Sequence, residues 1–104
     1  MATAGNAMMQ KDIYAFHAEV CAVFSNPVRL ELLDLLGKGE KSVGELTELT
    51  GLSQANVSQH LAIMRFKGVV AARKEGKNVY YRVADLRITK AFEIIRSVIA
   101  EKMK

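Results

Sequence analysis

Residues 42–83, SVGELTELTGLSQANVSQHLAIMRFKGVVAARKEGKNVYYRV, decide the fold of this chain of 104 residues. Ser42 and Glu45 have the spacing of a capping box, which predicts the start of a short helix. Gly51-Leu52 then make a tight turn, and Ser53 caps a second helix that ends before Gly68. The first half of the stretch is therefore a helix-turn-helix.

The hydrophobic pattern changes after Gly68 from the helical period to that of strands. Two segments, 69–74 and 79–83, contain β-branched or aromatic residues and lie on either side of Glu75-Gly76-Lys77-Asn78. This arrangement predicts a hairpin around those four residues. A helix-turn-helix followed by a hairpin is a winged helix.

The flanking segments predict three further helices. Apolar residues recur at intervals of three and four from Met9 to Phe24. Pro27 suits the first turn of the next helix, with Asn26 as its predicted cap. Asp85 caps a last helix whose apolar stripe runs from Ile88 to Ile99. The predicted fold class is mainly α with a small β-hairpin.

The chain has no linker, repeat or low-complexity segment, so we expect a single domain over residues 1–104. Residues 1–8 are small and polar, and we expect them to be disordered. Half of the residues are hydrophobic and only one is proline, which excludes a disordered tail. The chain is too short for a Rossmann or barrel enzyme.

Several features that the sequence lacks exclude particular classes of protein. The single cysteine excludes an intrachain disulfide framework and a Cys-rich zinc module. No apolar run is long enough to span a membrane, and the N-terminus shows no secretory signal. We therefore expect a cytoplasmic protein.

The positive charge is concentrated in one third of the chain. The net charge is +4, and seven basic but only two acidic residues lie between Ser53 and Arg87. The rest of the chain has eight basic and nine acidic residues. This distribution over the second helix of the motif and the hairpin indicates a polyanionic partner, most simply double-stranded DNA.

A helix that reads DNA needs an apolar face toward the domain and short polar side chains toward base edges. Val57 and Leu61 supply the apolar face of the second helix of the motif. The polar positions expected to contact DNA are Ser53, Gln54, Asn56, Ser58, Gln59 and His60. Asparagine and glutamine amides can pair with adenine, and serine hydroxyls suit phosphate.

The hairpin offers a second set of DNA-binding candidates. These are Arg73, Lys74, Lys77 and Asn78. They can reach phosphates or the minor groove beside the site of the helix.

Four sequence motifs resemble the ArsR/SmtB family of bacterial and archaeal repressors. They are NPVRL at 26–30, GLSQANVSQHL at 51–61, GVV at 68–70 and RKEGKNVYY at 73–81. The resemblance implies a homodimer formed by the first and last helices, bound to an imperfect palindrome that overlaps its own promoter. It also implies that the protein leaves this operator when an inducer binds.

The residues at the family's usual metal sites differ in this chain. Ser42 and Gly44 stand where metal-sensing members have a C-x-C motif. The positions of the second family site are Asp85, Arg87, Val98 and Glu101. Zinc prefers nitrogen and sulfur ligands, so we expect no metal at either place, and no cofactor. Asp85 is better explained as a helix cap.

His17 and Cys21 lie four residues apart and therefore share one face of the first helix. Two such pairs across a dimer axis could hold a metal, and Cys21 could be oxidised or pair with its counterpart in a dimer. In the alternative, Cys21 is a small buried apolar residue and His17 a surface residue.

Two other functions compete with that of a transcriptional regulator. The first is a winged-helix protein-interaction module whose basic hairpin meets an acidic partner. Gln54, Asn56 and Gln59 argue against it, because a docking helix shows apolar anchors. The second is an enzyme, which we exclude because Ser58 and His60 point in different directions on their helix.

Overall fold

The computed structural model describes the backbone of residues 4–104 and the side chains of residues 10–104. Its elements, in chain order, are α1 (Ala4–Val23), α2 (Pro27–Gly37), β1 (Lys41–Ser42), α3 (Val43–Thr50), α4 (Gln54–Phe66), β2 (Val70–Glu75), β3 (Asn78–Val83) and α5 (Leu86–Lys102). Helices α3 and α4 form the helix-turn-helix, and β2 and β3 form the hairpin that follows it. The predicted winged helix is confirmed.

Side-chain caps fix the starts of α2 and α3. The Asn26 side chain accepts hydrogen bonds from the backbone N–H groups of Val28 (2.9 Å) and Arg29 (3.2 Å). Ser42 Oγ accepts from the backbone N–H of Glu45 (3.1 Å), whose carboxylate accepts from the Ser42 N–H (3.0 Å). Both predicted caps are present, and each satisfies N–H groups that a helix start leaves without partners.

A left-handed glycine makes the turn between α3 and α4. Gly51 has φ of +73° and donates its N–H to the Thr47 carbonyl oxygen at 2.9 Å. Residues with a Cβ rarely adopt this conformation, so glycine sets the direction in which α4 leaves α3.

The hairpin has a tighter turn than the four residues 75–78 suggest. Glu75 pairs directly with Asn78, so Gly76 and Lys77 alone connect the strands. Gly76 has φ of +60°, as a type II′ turn requires at its first central position. The strands therefore extend to the tip of the hairpin, which we call the wing (residues 70–83).

A third strand, β1, has no counterpart in the sequence-based prediction. Lys41 and Ser42 pair antiparallel with Tyr81 and Tyr80, which gives the strand order β1-β3-β2. Two residues are too few to show the alternation by which a strand is recognised. This strand joins the wing to the segment that enters α3.

The buried core lies between the helices and the inner face of the sheet. Its hydrophobic residues are Val23, Phe24, Leu32, Leu33, Leu36, Leu46, Val57, Leu61, Met64, Val69, Val70 and Val83. Three of them come from α4 and are fully buried, so the inner face of that helix is held rigidly.

Helix α1 begins at Ala4, five residues before the predicted start at Met9. The expected disorder of residues 1–8 stays a prediction, and residues 1–3 lie outside the described part. Apolar periodicity placed the start of α1 too late, because the period shows only which residues pack against the core. Alanine and methionine have high helix propensity and extend a helix even where nothing packs against it. All side chains from Gln10 to Glu19 are exposed, so α1 joins the core only at its end.

Candidate nucleic-acid interface

Helix α4 turns an apolar face inward and a polar face outward. Val57, Leu61 and Met64 are completely buried. Gln54 and Gln59 are exposed, whereas Asn56, Ser58 and His60 are half-buried at the sides of the helix. The outer face of α4 thus shows amide groups, which are the groups that pair with adenine in a major groove.

Ser53 has a structural task at the start of this helix. Its hydroxyl oxygen accepts the backbone N–H of Asn56 at 3.1 Å. Because a hydroxyl that accepts can still donate, the exposed Ser53 also retains a proton for a phosphate oxygen. The first turn of α4 is therefore both capped and open to an anion.

His60 points partly toward the body of the domain. Its Nδ1 atom lies 3.3 Å from Arg29 Nη1 of α2, and Arg29 Nε donates to the Val23 carbonyl oxygen at the end of α1. Burial and the Arg29 charge lower the pKa of His60 below its usual value of 6.5. His60 is therefore neutral near pH 7, and through Arg29 it connects α4 to the end of α1.

A groove of about 400 Å³ brings the wing tip to the start of α4. Its lining combines Gln54 with Lys77 and Asn78, which lie more than twenty residues away in the sequence. The start of α3, with Ser42 and Gly44, forms the other wall. Of the predicted DNA-binding residues, these three are the ones that the fold gathers around one concave surface.

The cationic residues of the wing differ in their partners. Lys74 and Lys77 are exposed, and neither has an acidic partner within the described residues. Arg73 instead forms ion pairs with Glu40 (2.7 Å) and Glu75 (2.6 Å). The two lysines have no competing carboxylate partner among the described residues, whereas Arg73 has two.

Arg29 and Glu40 take part in these contacts, but the sequence did not indicate them as functional candidates. Arg29 was noted only as part of the NPVRL motif, and Glu40 lies in the segment between α2 and β1. Their partners, His60 and Arg73, are more than thirty residues away. No local spacing pattern connects residues so distant.

The residues that stand at the family's metal-site positions have structural roles in this chain. Ser42 belongs to the capping box, and Asp85 caps α5 by accepting the backbone N–H of Arg87 at 2.9 Å. The predicted cap at Asp85 is confirmed. Hydrogen bonds from the Arg87 side chain and backbone lower the pKa of Asp85 to about 2.

His17 and Cys21 both have exposed side chains on α1. The single chain leaves Cys21 exposed, so the alternative in which Cys21 is a buried apolar residue depends on a second copy of the chain that covers α1. Within the described residues, no group of three or more His, Cys, Asp or Glu side chains is arranged to hold a metal ion. The same part of the chain contains no helix with the length and apolar character to cross a bilayer.

The fold, the amide-bearing helix and the basic wing together define a winged helix-turn-helix DNA-binding protein. The family model described as "Bacterial regulatory protein, arsR family" matches residues 26–72. An HTH-type transcriptional regulator of Mycobacterium tuberculosis is 36% identical over 94 residues, which cover 89% of this chain and 82% of the relative. The chain belongs to the ArsR family, as the sequence motifs indicated.

Two further comparisons agree with this assignment. The biofilm growth-associated repressor of Xylella fastidiosa is 32% identical over 84% of this chain and 76% of its own length. The homodimeric winged helix-turn-helix domain of a possible ArsR-family regulator from Mycobacterium bovis has a TM-score of 0.84 at 31% identity. That alignment covers 97% of this chain and 94% of the Mycobacterium bovis domain. The protein is thus a DNA-binding transcriptional regulator and not an enzyme.

Proposed function

We propose that the protein is a homodimeric repressor that places α4 of each copy in the major groove of a palindromic operator. The observation that carries the proposal is the groove that Gln54, Lys77 and Asn78 line together. An amide suited to a base edge and a cation suited to a phosphate thus border the same concave surface. Winged helices use this combination of helix and hairpin on adjacent parts of a duplex.

We assign distinct tasks to the residues of the interface. Gln54, Asn56 and Gln59 read base edges, because their amides can donate and accept at once. Ser53 and Ser58 contact phosphate, as do Lys74 and Lys77 on the wing. His60 lies at the edge of this surface, and Asn78 supports the wing tip.

Repression by a dimer is supported by the relatives and by the surface of the chain. The Xylella relative is named a repressor, and the Mycobacterium bovis domain is homodimeric. Helices α1 and α5 expose Ile13, Phe16, Ile94 and Val98, each more than half accessible. We place the protein in the cytoplasm, where bacterial operators are accessible.

The test is a titration of labelled duplex from upstream of the gene, followed by anisotropy at several salt concentrations. Gln54→Ala is expected to lose about 1–3 kcal/mol of discrimination at one base position and little at others. Lys77→Ala is expected to weaken all duplexes alike and to lower the salt slope by about 1.

Lys102→Ala serves as the matched control, because Lys102 is an exposed lysine at the far end of α5. It should leave both the affinity and the salt slope unchanged. An equal loss on every sequence with Gln54→Ala would remove this residue from base reading. Absence of binding to any duplex would refute the proposed function.

A further inference from the structure

Arg73 holds an unusual number of partners for an exposed side chain. Its Nε donates to both carboxylate oxygens of Glu40, at 2.9 and 3.0 Å, and Nη2 lies 2.7 Å from Glu40 Oε1. Its Nη1 donates to Glu75 Oε2 at 2.6 Å. The guanidinium carbon also lies 4.8 Å from the centre of the Tyr80 ring. One side chain thus contacts three others.

These three partners come from different parts of the domain. Glu40 lies in the segment that connects α2 to β1, outside the wing. Glu75 ends β2 beside the turn, and Tyr80 lies opposite Arg73 on β3. The guanidinium of Arg73 therefore joins both strands of the wing to the body of the domain.

The opposite charges in this cluster favour the ion pairs that hold Arg73 in place. The hydrogen bond with Arg73 lowers the pKa of Glu40, and the Arg73 and Arg82 charges lower it further. Hydrogen bonds to Glu40 and Glu75 raise the pKa of Arg73. With two carboxylates against it, Arg73 carries little uncompensated charge to offer a phosphate.

The wing tip follows directly after this cluster in the chain. Gly76 and Lys77 form the turn after Glu75, and Lys77 lines the groove shared with Gln54. A hairpin that projects from a small sheet can tilt as a unit, because few core residues lie near its tip. In addition to the pairing of β1 with β3, the contacts of Arg73 with Glu40 lie where they can limit such a tilt.

We propose that Arg73 is a positioning residue, held by Glu40 and Glu75, that fixes the wing so that Lys77 stays beside the start of α4. In this arrangement Arg73 does not itself neutralise a DNA phosphate. The inference rests on the proposed function, since it specifies how the wing contributes to DNA binding. It replaces the sequence-based expectation that Arg73 contacts phosphate.

Two variants separate positioning from direct phosphate contact. Glu40→Gln removes an acidic charge and one of the two carboxylate partners of Arg73, so a phosphate-binding Arg73 would then bind duplex more tightly with a steeper salt slope. A positioning Arg73 would instead lose its anchor, and affinity is expected to fall roughly 2- to 5-fold. Arg73→Lys keeps the positive charge but loses the bidentate fork, so it is expected to weaken binding by a similar factor.

The double variant and a control complete the DNA-binding measurement. Glu40→Gln combined with Arg73→Lys is expected to bind no more weakly than the worse single variant, because both substitutions break one contact. Glu48→Gln, at an exposed glutamate of α3, removes the same charge without touching the wing. It should leave affinity at or slightly above that of the unaltered protein.

Amide hydrogen exchange of the free protein provides a readout that does not depend on DNA. Exchange at Lys77 and Asn78 is expected to accelerate in Glu40→Gln and Arg73→Lys, but not in Glu48→Gln. Unchanged exchange, or tighter binding by Glu40→Gln, would overturn the inference. If the unaltered protein bound no duplex, the proposed function would fail, while the exchange data would still decide whether Arg73 fixes the wing.

Discussion

His60 shows how one contact sets the chemistry of a side chain at the DNA-facing surface. Arginine can only donate hydrogen bonds, so the Arg29 Nη1 at 3.3 Å from His60 Nδ1 requires that nitrogen to accept. The proton of the neutral imidazole then lies on Nε2. His60 is thereby restricted to one tautomer, and Nε2 is its only N–H donor.

The consequence is measurable as a titration of His60. Burial and the Arg29 charge keep its pKa below 6.5, and replacing Arg29 with Met removes the charge. We therefore expect Arg29→Met to raise the pKa of His60. NMR titration in a His17→Asn background checks this, because the chain has only two histidines.

The lowered pKa of His60 also determines how the stability of the protein depends on pH. Since the folded pKa lies below 6.5, the unfolded chain takes up the proton first as the pH falls. The His60 contribution to the free energy of unfolding is thus lost as the pH drops from 6.5 through the folded pKa. An unchanged His60 titration in Arg29→Met would show that Arg29 does not control this residue.

At the scale of elements, α2 and α5 approach closely where α2 ends. A Cβ atom on Gly37 would lie 2.4 Å from Thr89 Cγ2, so only glycine fits there without movement. Thr89 is buried, and its hydroxyl has no hydrogen-bond partner among the residues that the structure describes. The junction is therefore tightly packed and contains an unsatisfied polar group.

Thr89→Val is expected to raise the free energy of unfolding by about 1 kcal/mol, because it replaces the unpaired hydroxyl with a methyl group of similar shape. Urea denaturation followed by circular dichroism measures the change. A destabilised Thr89→Val would mean that the hydroxyl has a partner in solution, such as a water molecule.

Gly37→Ala tests the packing of the same junction. The added methyl group overlaps the β-branched Thr89 side chain, which cannot rotate away freely. We expect a loss of about 1–3 kcal/mol in the free energy of unfolding. Gly44→Ala is the matched control, since its Cβ would meet only the Ser42 hydroxyl at 3.8 Å. Equal effects of the two substitutions would contradict the steric explanation.

At the scale of the whole molecule, the single chain leaves a large apolar surface uncovered. The large apolar side chains of α1 and α5 that are more than half exposed are Ile13, Tyr14, Phe16, Leu86, Ile94, Ile95, Val98 and Ile99. Exposed apolar surface of this extent marks an interface between proteins. In the proposed dimer, a second copy of the chain covers it.

Ile94→Glu is expected to convert the proposed dimer into monomers, because it places a charge within the apolar surface. Sedimentation velocity measures this directly. Affinity for a full palindrome should fall about 10²-fold or more, since each monomer then binds its half-site alone. Leu49→Glu is the control, because Leu49 is an exposed leucine of α3, outside α1 and α5. A dimeric Ile94→Glu variant would place the interface elsewhere.

The sequence by itself determined the helices, the turn and the wing. Caps such as Ser42 and Asp85 act within three residues, and the inward positions of α4 follow from its period. The amides on the outer face of α4 could be identified for the same reason. Such features are local, so the order of residues is enough to predict them.

Only the tertiary structure decided which of these residues act together. Strand β1 forms because β3 lies beside it, and Gln54 and Lys77 line one groove because the fold brings the start of α4 and the wing tip to the same surface. Arg29 meets His60 across 31 residues, and Glu40 meets Arg73 across 33. A contact between distant residues depends on the packing of the whole core, which brings their elements together, and no short pattern in the sequence records it.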